Sequence, residues 1–218
     1  MVTAILNRSF QNVKGGHHLA RPKGYDRDAV LPAARDLFWE QGYERVSVAD
    51  LEQRTGLNRS GIYQEFGSKH GLFVAALDCY ADRVIAGLLA GLRDDHAGGL
   101  DAVAGLFERL AELFRCDQGV STRGCMMVNA TAELAAHDPA VRAQAAAYRD
   151  RLRASFGAAL TRAARLGETK ADPDHARARL LASALMGVWL TVRIDPADAS
   201  ALCQTIARQV ESWRLPAG

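Results

Sequence analysis

Asn58, Arg59, Ser60 and Gly61 put two hydrogen-bonding side chains beside two small residues at the start of a short apolar-periodic stretch. Arginine and asparagine match donor and acceptor groups on base edges, and small neighbours let a backbone come close. This is the chemistry of a helix end entering the major groove of duplex nucleic acid. Such an end must be held by a second helix crossing it. Ala49 is a small residue for the crossing, and Gly56 is able to turn the chain. Val48, Leu51, Leu57, Ile62 and Phe66 are apolar anchors on the two sides.

Other candidate chemistry is sparse. The cysteines are Cys79, Cys116, Cys125 and Cys203; none forms a C-x-x-C pair or has a histidine at zinc spacing. Each falls in an apolar helical pattern, so buried free thiols in a reducing cytoplasm are expected. His17 and His18 lie near the N-terminus, and His96, His137 and His175 near predicted loops. None has a partner pattern. With no nucleophile elbow, metal cluster or phosphate loop, no catalytic residue, metal site or cofactor is expected, and an enzyme is disfavoured.

The chain has 218 residues, 49% of them hydrophobic and 24% charged, as in globular proteins with ample core. Net charge is only +2, but residues 1–25 carry +4, from Arg8, Lys14, Arg21 and Lys23. That basic arm suits phosphate contact, or is a solvated leader. No stretch approaches the roughly 20 apolar residues of a membrane span. Ala4, Ile5 and Leu6 run at once into Asn7 and Arg8, unlike a secretory signal. A cytoplasmic protein is expected.

Periodicity predicts an all-α chain of about nine helices. The first runs from an Asp26 cap to Gln41 with Ala29, Ala33, Leu37 and Phe38 inward, and Pro32 kinks it or delays its start. Two short helices follow, 48–54 capped by Ser47 and 58–65, on either side of the turn Thr55-Gly56-Leu57. A long fourth helix runs from Ser68 to 93 with Leu72, Phe73, Ala76, Leu77, Tyr80, Val84, Leu88 and Leu92 on one stripe. The rest fall at 100–114, 124–136, 139–166, 173–192 and 196–214; Asp138-Pro139 gives a cap followed by a first-turn proline. Residues 117–123 are polar and irregular.

Several separated elements, agreeing in order and spacing over residues 25–75, resemble the N-terminal domain of the TetR (tetracycline-repressor-like) family. They are Leu37-Phe38-Trp39-Glu40-Gln41-Gly42-Tyr43, Ser47-Val48-Ala49-Asp50-Leu51, Thr55-Gly56-Leu57-Asn58-Arg59-Ser60-Gly61-Ile62-Tyr63, Phe66-Gly67-Ser68-Lys69 and Leu72-Phe73. The resemblance implies a leader over 1–24, a three-helix DNA-binding head over 25–70 and an effector-binding, dimerising body over 71–218. It implies that Ser47 caps its helix and meets a phosphate, and that Asn58, Arg59, Ser60 and Gly61 face bases or backbone. Tyr63 would meet a phosphate, Gln64 would lie over the groove, and Lys69 would bind phosphate at a helix N-terminus. Asn58 has the alternative of being only an N-cap, and Tyr63 that of packing on the first helix. Glu65, His70 and Pro32 depart from the family's usual residues. Arg21-Pro22-Lys23-Gly24 looks like the family's short basic arm, which touches minor groove or backbone.

For the body, the resemblance implies a homodimer through the last two helices. Residues 176–192 have an apolar surface wider than one stripe, so that helix must bury two faces. In the last helix Ala199, Leu202, Ile206, Val210 and Trp213 recur at three- and four-residue steps. Paired recognition helices would then read an inverted-repeat operator in double-stranded DNA. Phe107, Cys125, Met126, Tyr148 and Trp189 are candidates for lining a site for an unidentified small-molecule effector, or are plain core; Arg123, Asn129 and Glu133 are polar groups nearby. Gly124-Cys125 opening a helix resembles a subset of the family, and a thiol at a helix N-terminus would have a lowered pKa. Cys125 is therefore either a sensor of electrophile or oxidant or a small core residue.

Overall fold

The computed structural model describes residues 26–94, 99–116 and 121–216. The basic arm lies outside the described residues, as does most of the polar stretch 117–123. Among the described residues there are helices and no strands.

Asp26 caps α1 (Arg27–Gln41), accepting from Asp28 N at 2.9 Å. The helix starts directly after its cap and carries Pro32 inside it. Its buried face is Val30, Ala34, Leu37 and Phe38. The spacing predicts Ala29 and Ala33 there, but Ala29 is exposed. Alanines give periodicity little apolar area to act on, and Val30 has more to gain from burial.

α2 (Val48–Thr55) and α3 (Arg59–Phe66) are joined by Gly56, which is left-handed at φ 71° and whose N–H closes α2 on Glu52 O at 2.9 Å. The helices meet through Leu51 and Ile62, both fully buried, and Leu57. Ala49, expected at the crossing, is exposed instead. The larger apolar residues make the contact because they remove more surface from water.

α4 (Lys69–Tyr80) starts at the Ser68 cap and packs on α1. It does not continue as a plain α-helix to 93. A π-turn (Ala81–Ile85) follows, then short turns Ala86–Leu88 and Ala90–Arg93. The extra residue in the π-turn slides the buried stripe by one position. Ile85 and Leu89 are fully buried, where α-periodicity predicts Val84 and Leu88. Arg151 from the body donates to Ala81 O at 2.7 Å, which fixes the turn.

The body comprises α5 (Gly99–Cys116), α6 (Met126–Leu134), α7 (Pro139–Arg165), α8 (Ala176–Thr191) and α9 (Pro196–Glu211). α9 lies along α5, and α7 packs on α5, α6 and α8. Val103, Phe107, Leu110 and Phe114 turn inward from α5 as predicted. Asp138 caps α7 through Ala140 N and Val141 N at 2.9 and 3.1 Å. α8 buries Leu181, Leu185, Val188 and Trp189 and leaves Leu180 58% and Leu190 45% exposed, with Ile194 just beyond at 86%. Cys79, Cys125 and Cys203 are buried, but Cys116 is exposed, because α5's inward stripe ends at Phe114.

Candidate nucleic-acid interface

The head presents α3 outward. Asn58, Arg59, Ser60, Tyr63 and Gln64 are exposed, while Ile62 on the opposite side is fully buried. Tyr63 is 43% exposed, with its ring under the Arg59 guanidinium at 5.7 Å. Asn58 is the N-cap of α3, and its Oδ1 accepts from Gly61 N at 2.8 Å. The Arg59 backbone N–H donates to the Glu52 carboxylate of α2, which ties the start of α3 to its partner helix. Ser47 caps α2 in a reciprocal box. Asp50 N donates to Ser47 Oγ at 3.2 Å, and Ser47 N to Asp50 Oδ2 at 2.8 Å. The Ser47 hydroxyl and backbone bonds hold the Asp50 carboxyl below its ordinary range. Lys69 is the first residue of α4, and its ammonium lies over the Tyr43 ring at 4.3 Å. Ser47, Asn58, Arg59, Ser60, Gly61, Tyr63, Gln64 and Lys69 thus all lie along α2, α3 and the start of α4.

Contacts that sequence spacing does not reveal hold the head on the body. Trp39 Nε1 donates to Gly124 O at 3.1 Å. Glu133, near the end of α6, accepts from Tyr43 N at 3.2 Å and from Glu44 N at 3.0 Å. Glu40 pairs with Arg123 at 3.3 Å across the junction and, within the head, with Arg54 of α2 at 2.9 Å. His70 Nε2 and Asp138 Oδ2 are 2.6 Å apart. These partners are separated by up to 90 residues.

The candidate effector residues share one core. Phe107, Cys125, Met126, Tyr148 and Trp189 are all buried. Phe107 stacks on Phe156 at 6.0 Å between centroids, and Phe114 meets Trp189 edge-on at 5.6 Å. The Cys125 thiol lies between the Tyr80 and Tyr148 hydroxyls and donates to Tyr148 Oη at 3.7 Å. It is the N-cap of α6, yet its pKa moves up: burial raises it more than bonds from Tyr80, Val128 N and Tyr148 lower it. The lowered pKa expected from a helix N-terminus is therefore overturned by desolvation. Trp39 meets Tyr80 edge-on at 5.2 Å, so this cluster adjoins α1. Arg123 and Asn129 form a polar knot, with Asn129 Nδ2 donating to Arg123 O and Arg193 Nη1 to Asn129 Oδ1.

A small helix-turn-helix head with an outward second helix, mounted on an all-helical body, defines the class of one-chain helical regulators. Residues 30–76 match the description of bacterial regulatory proteins of the tetR family, and residues 99–206 that of the tetracyclin repressor-like C-terminal domain. The chain belongs to the TetR family.

Among curated relatives, the HTH-type transcriptional repressor ComR of Escherichia coli (strain K12) is 42% identical over 109 residues, 50% of this chain and 51% of ComR. The repressor BdcR of the same strain is 34% identical over 128 residues, 59% of this chain and 62% of BdcR. The matches thus span about half to three-fifths of those relatives. A cysteine mutant of the TetR-family regulator CifR, solved in complex with 26-bp double-strand operator DNA, superposes with a TM-score of 0.66 at 28% identity. It covers 88% of this chain and 98% of that one. Reduced NemR of E. coli shares the fold at a TM-score of 0.75 and 17% identity, covering 88% and 98%.

Proposed function

We propose that this chain is a cytoplasmic, DNA-binding transcriptional repressor. It acts as a homodimer through α8 and α9, reads an inverted-repeat operator with two copies of α3, and is released by a small-molecule effector. The observation that carries this reading is the outward face of α3, whose hydrogen-bonding side chains are exposed while Ile62 on its opposite side is fully buried. Arg59, Ser60 and Gln64 supply base-edge chemistry there, and Ser47, Tyr63 and Lys69 flank it as phosphate contacts. Asn58 serves as the helix cap. The exposed Leu180 and Leu190 of α8 support pairing, since they form an apolar face the subunit itself does not cover. The repressor relatives, and the operator bound by CifR, support the direction of regulation and the ligand. Phe107, Cys125, Met126, Tyr148 and Trp189 belong to the core that an effector would have to open. An effector stabilising a different head separation would weaken operator binding by the difference in its affinity for the two arrangements.

In vitro selection from a randomised duplex pool tests the reading. The protein is expected to enrich an inverted repeat with half-site centres about 34 Å apart. Its affinity should fall as salt rises. Combining Tyr63→Phe with Lys69→Ala should weaken binding about tenfold or more across sequences. Absence of enrichment, or binding indifferent to salt, would instead indicate an adaptor that kept the fold without the activity.

A further inference from the structure

We propose that Glu133 is a positioning residue that sets the pose of the head on the body and so fixes the distance between the two recognition helices of the dimer. The inference rests on the dimeric reading above and adds to it a specific source of spacing discrimination.

Among the described residues, the carboxylate bonds to backbone and not to a side chain. It accepts two consecutive backbone N–H groups, Tyr43 N through Oε2 at 3.2 Å and Glu44 N through Oε1 at 3.0 Å. Bonds from amides to an ionised acceptor are among the stronger hydrogen bonds of a protein, and a forked pair fixes direction as well as distance. Residues 43 and 44 begin the segment between the end of α1 and the Ser47 cap of α2. Holding their peptide plane therefore holds the chain's entry into the helix-turn-helix.

The receiving site is shaped for this contact. Gly42 has φ 79°, a conformation side chains rarely adopt, and a Cβ added there would lie 3.2 Å from Glu133 Oε2. Glycine thus provides both the turn and the room for the carboxylate.

The grip is one of several across this junction, beside the Glu40–Arg123 and His70–Asp138 pairs, and the only one of them that takes consecutive backbone amides of the segment entering α2. At the other end of α6, Gly124 O takes the Trp39 indole N–H at 3.1 Å. The residue leading into the Cys125 cap of α6 therefore holds α1 at Trp39, and Glu133 near the end of α6 holds the chain just past the C-terminus of α1. A single-point attachment would leave the head free to pivot about it, whereas the forked carboxylate, acting with the other contacts, restrains its rotation. In a dimer, rotation of each head about the Trp39 attachment changes the separation of the α3 helices. One base pair of spacing corresponds to about 3.4 Å and a tenth of a helical turn, so a small loss of angular definition suffices to blur the choice.

The test runs the same randomised-pool selection in parallel on the full-length protein and on Glu133→Gln, which keeps the size but offers one acceptor oxygen and an opposing amide. The variant is expected to enrich the same half-site sequence with its spacing spread over at least two neighbouring values. Its preference for the selected spacing over one lengthened by a base pair should fall about tenfold relative to the parent. Hydrogen exchange should show the Tyr43 and Glu44 amides opening about tenfold faster, with Leu51 and Ile62 unchanged, which separates loss of pose from unfolding of the head. An equally sharp single spacing overturns the proposal, as does equal weakening at every spacing, the outcome of a merely structural role. If the parent selects only single half-sites, the dimeric reading falls. The exchange result then decides on Glu133 alone, and unchanged amides at 43 and 44 overturn it.

Discussion

At the scale of single residues, environment outweighs position. Cys125 occupies a helix N-terminus and still has a raised pKa, because burial dominates. Cys203 is pushed by burial up to about 12. Cys116 is exposed, with its pKa raised mainly by its bond to Glu112. Brief treatment of the folded protein with iodoacetamide should therefore label Cys116 first, and Cys125 and Cys203 only after denaturation. Mass mapping of labelled peptides checks this, and early labelling of Cys125 would restore it as a sensor candidate. Asp138 makes a second prediction. Its carboxyl is held below the ordinary range first by the Val141 backbone N–H and then by His70. Because the folded value lies below the unfolded one of about 3.9, its stabilisation is complete above that pH and is lost as pH falls through the folded value. Melting temperature measured against pH should show this acid limb flattened in Asp138→Asn, which keeps a good cap but removes the titrating charge.

Among elements, the short helices of the head depend on caps more than on buried area. α2 buries Leu51 and is closed by the Ser47–Asp50 box at one end and Gly56 at the other. Ser47→Ala should cost about 1 kcal/mol in denaturant unfolding, from the lost cap. The caps at Ser47, Asn58, Ser68 and Asp138, the first-turn proline at 139 and the burial of Phe107, Tyr148 and Trp189 were all legible in the sequence, because each is written in residues a few positions apart. The buried face of α1 was not, because alanine and valine at 29, 30, 33 and 34 leave the angle of its stripe undecided. The stripe just beyond Tyr80 was not, because a π-turn carries no composition signal and puts Ile85 and Leu89 inward in place of Val84 and Leu88, although Leu92 is buried as the spacing predicts. The grip of Glu133 on residues 43 and 44 was beyond reach for a different reason: a side chain bonding to backbone amides asks nothing of the residue types it meets.

At the scale of the whole molecule, the surface left apolar is the informative part. Leu180 and Leu190 are exposed on α8, and Ile194 follows at its end. Scattered apolar residues are ordinary on a surface, but these lie along one helix whose opposite side is already buried. Leu180→Glu with Leu190→Glu should convert the protein to a monomer in sedimentation velocity while leaving its helical circular dichroism intact. A sedimentation coefficient unchanged from the parent would place the pairing surface elsewhere.

Gly124 meets both α1 and α8. Its carbonyl takes the Trp39 indole, its φ is 67°, and an added Cβ would come within 2.7 Å of Trp189 O. A contact offered by main chain has no side chain to exchange, and this one leaves no room to acquire one. Evolutionary drift in how firmly the head is held is therefore open at position 39 and closed at position 124. Retuning of this regulator across lineages should accumulate on the donor's side of that bond.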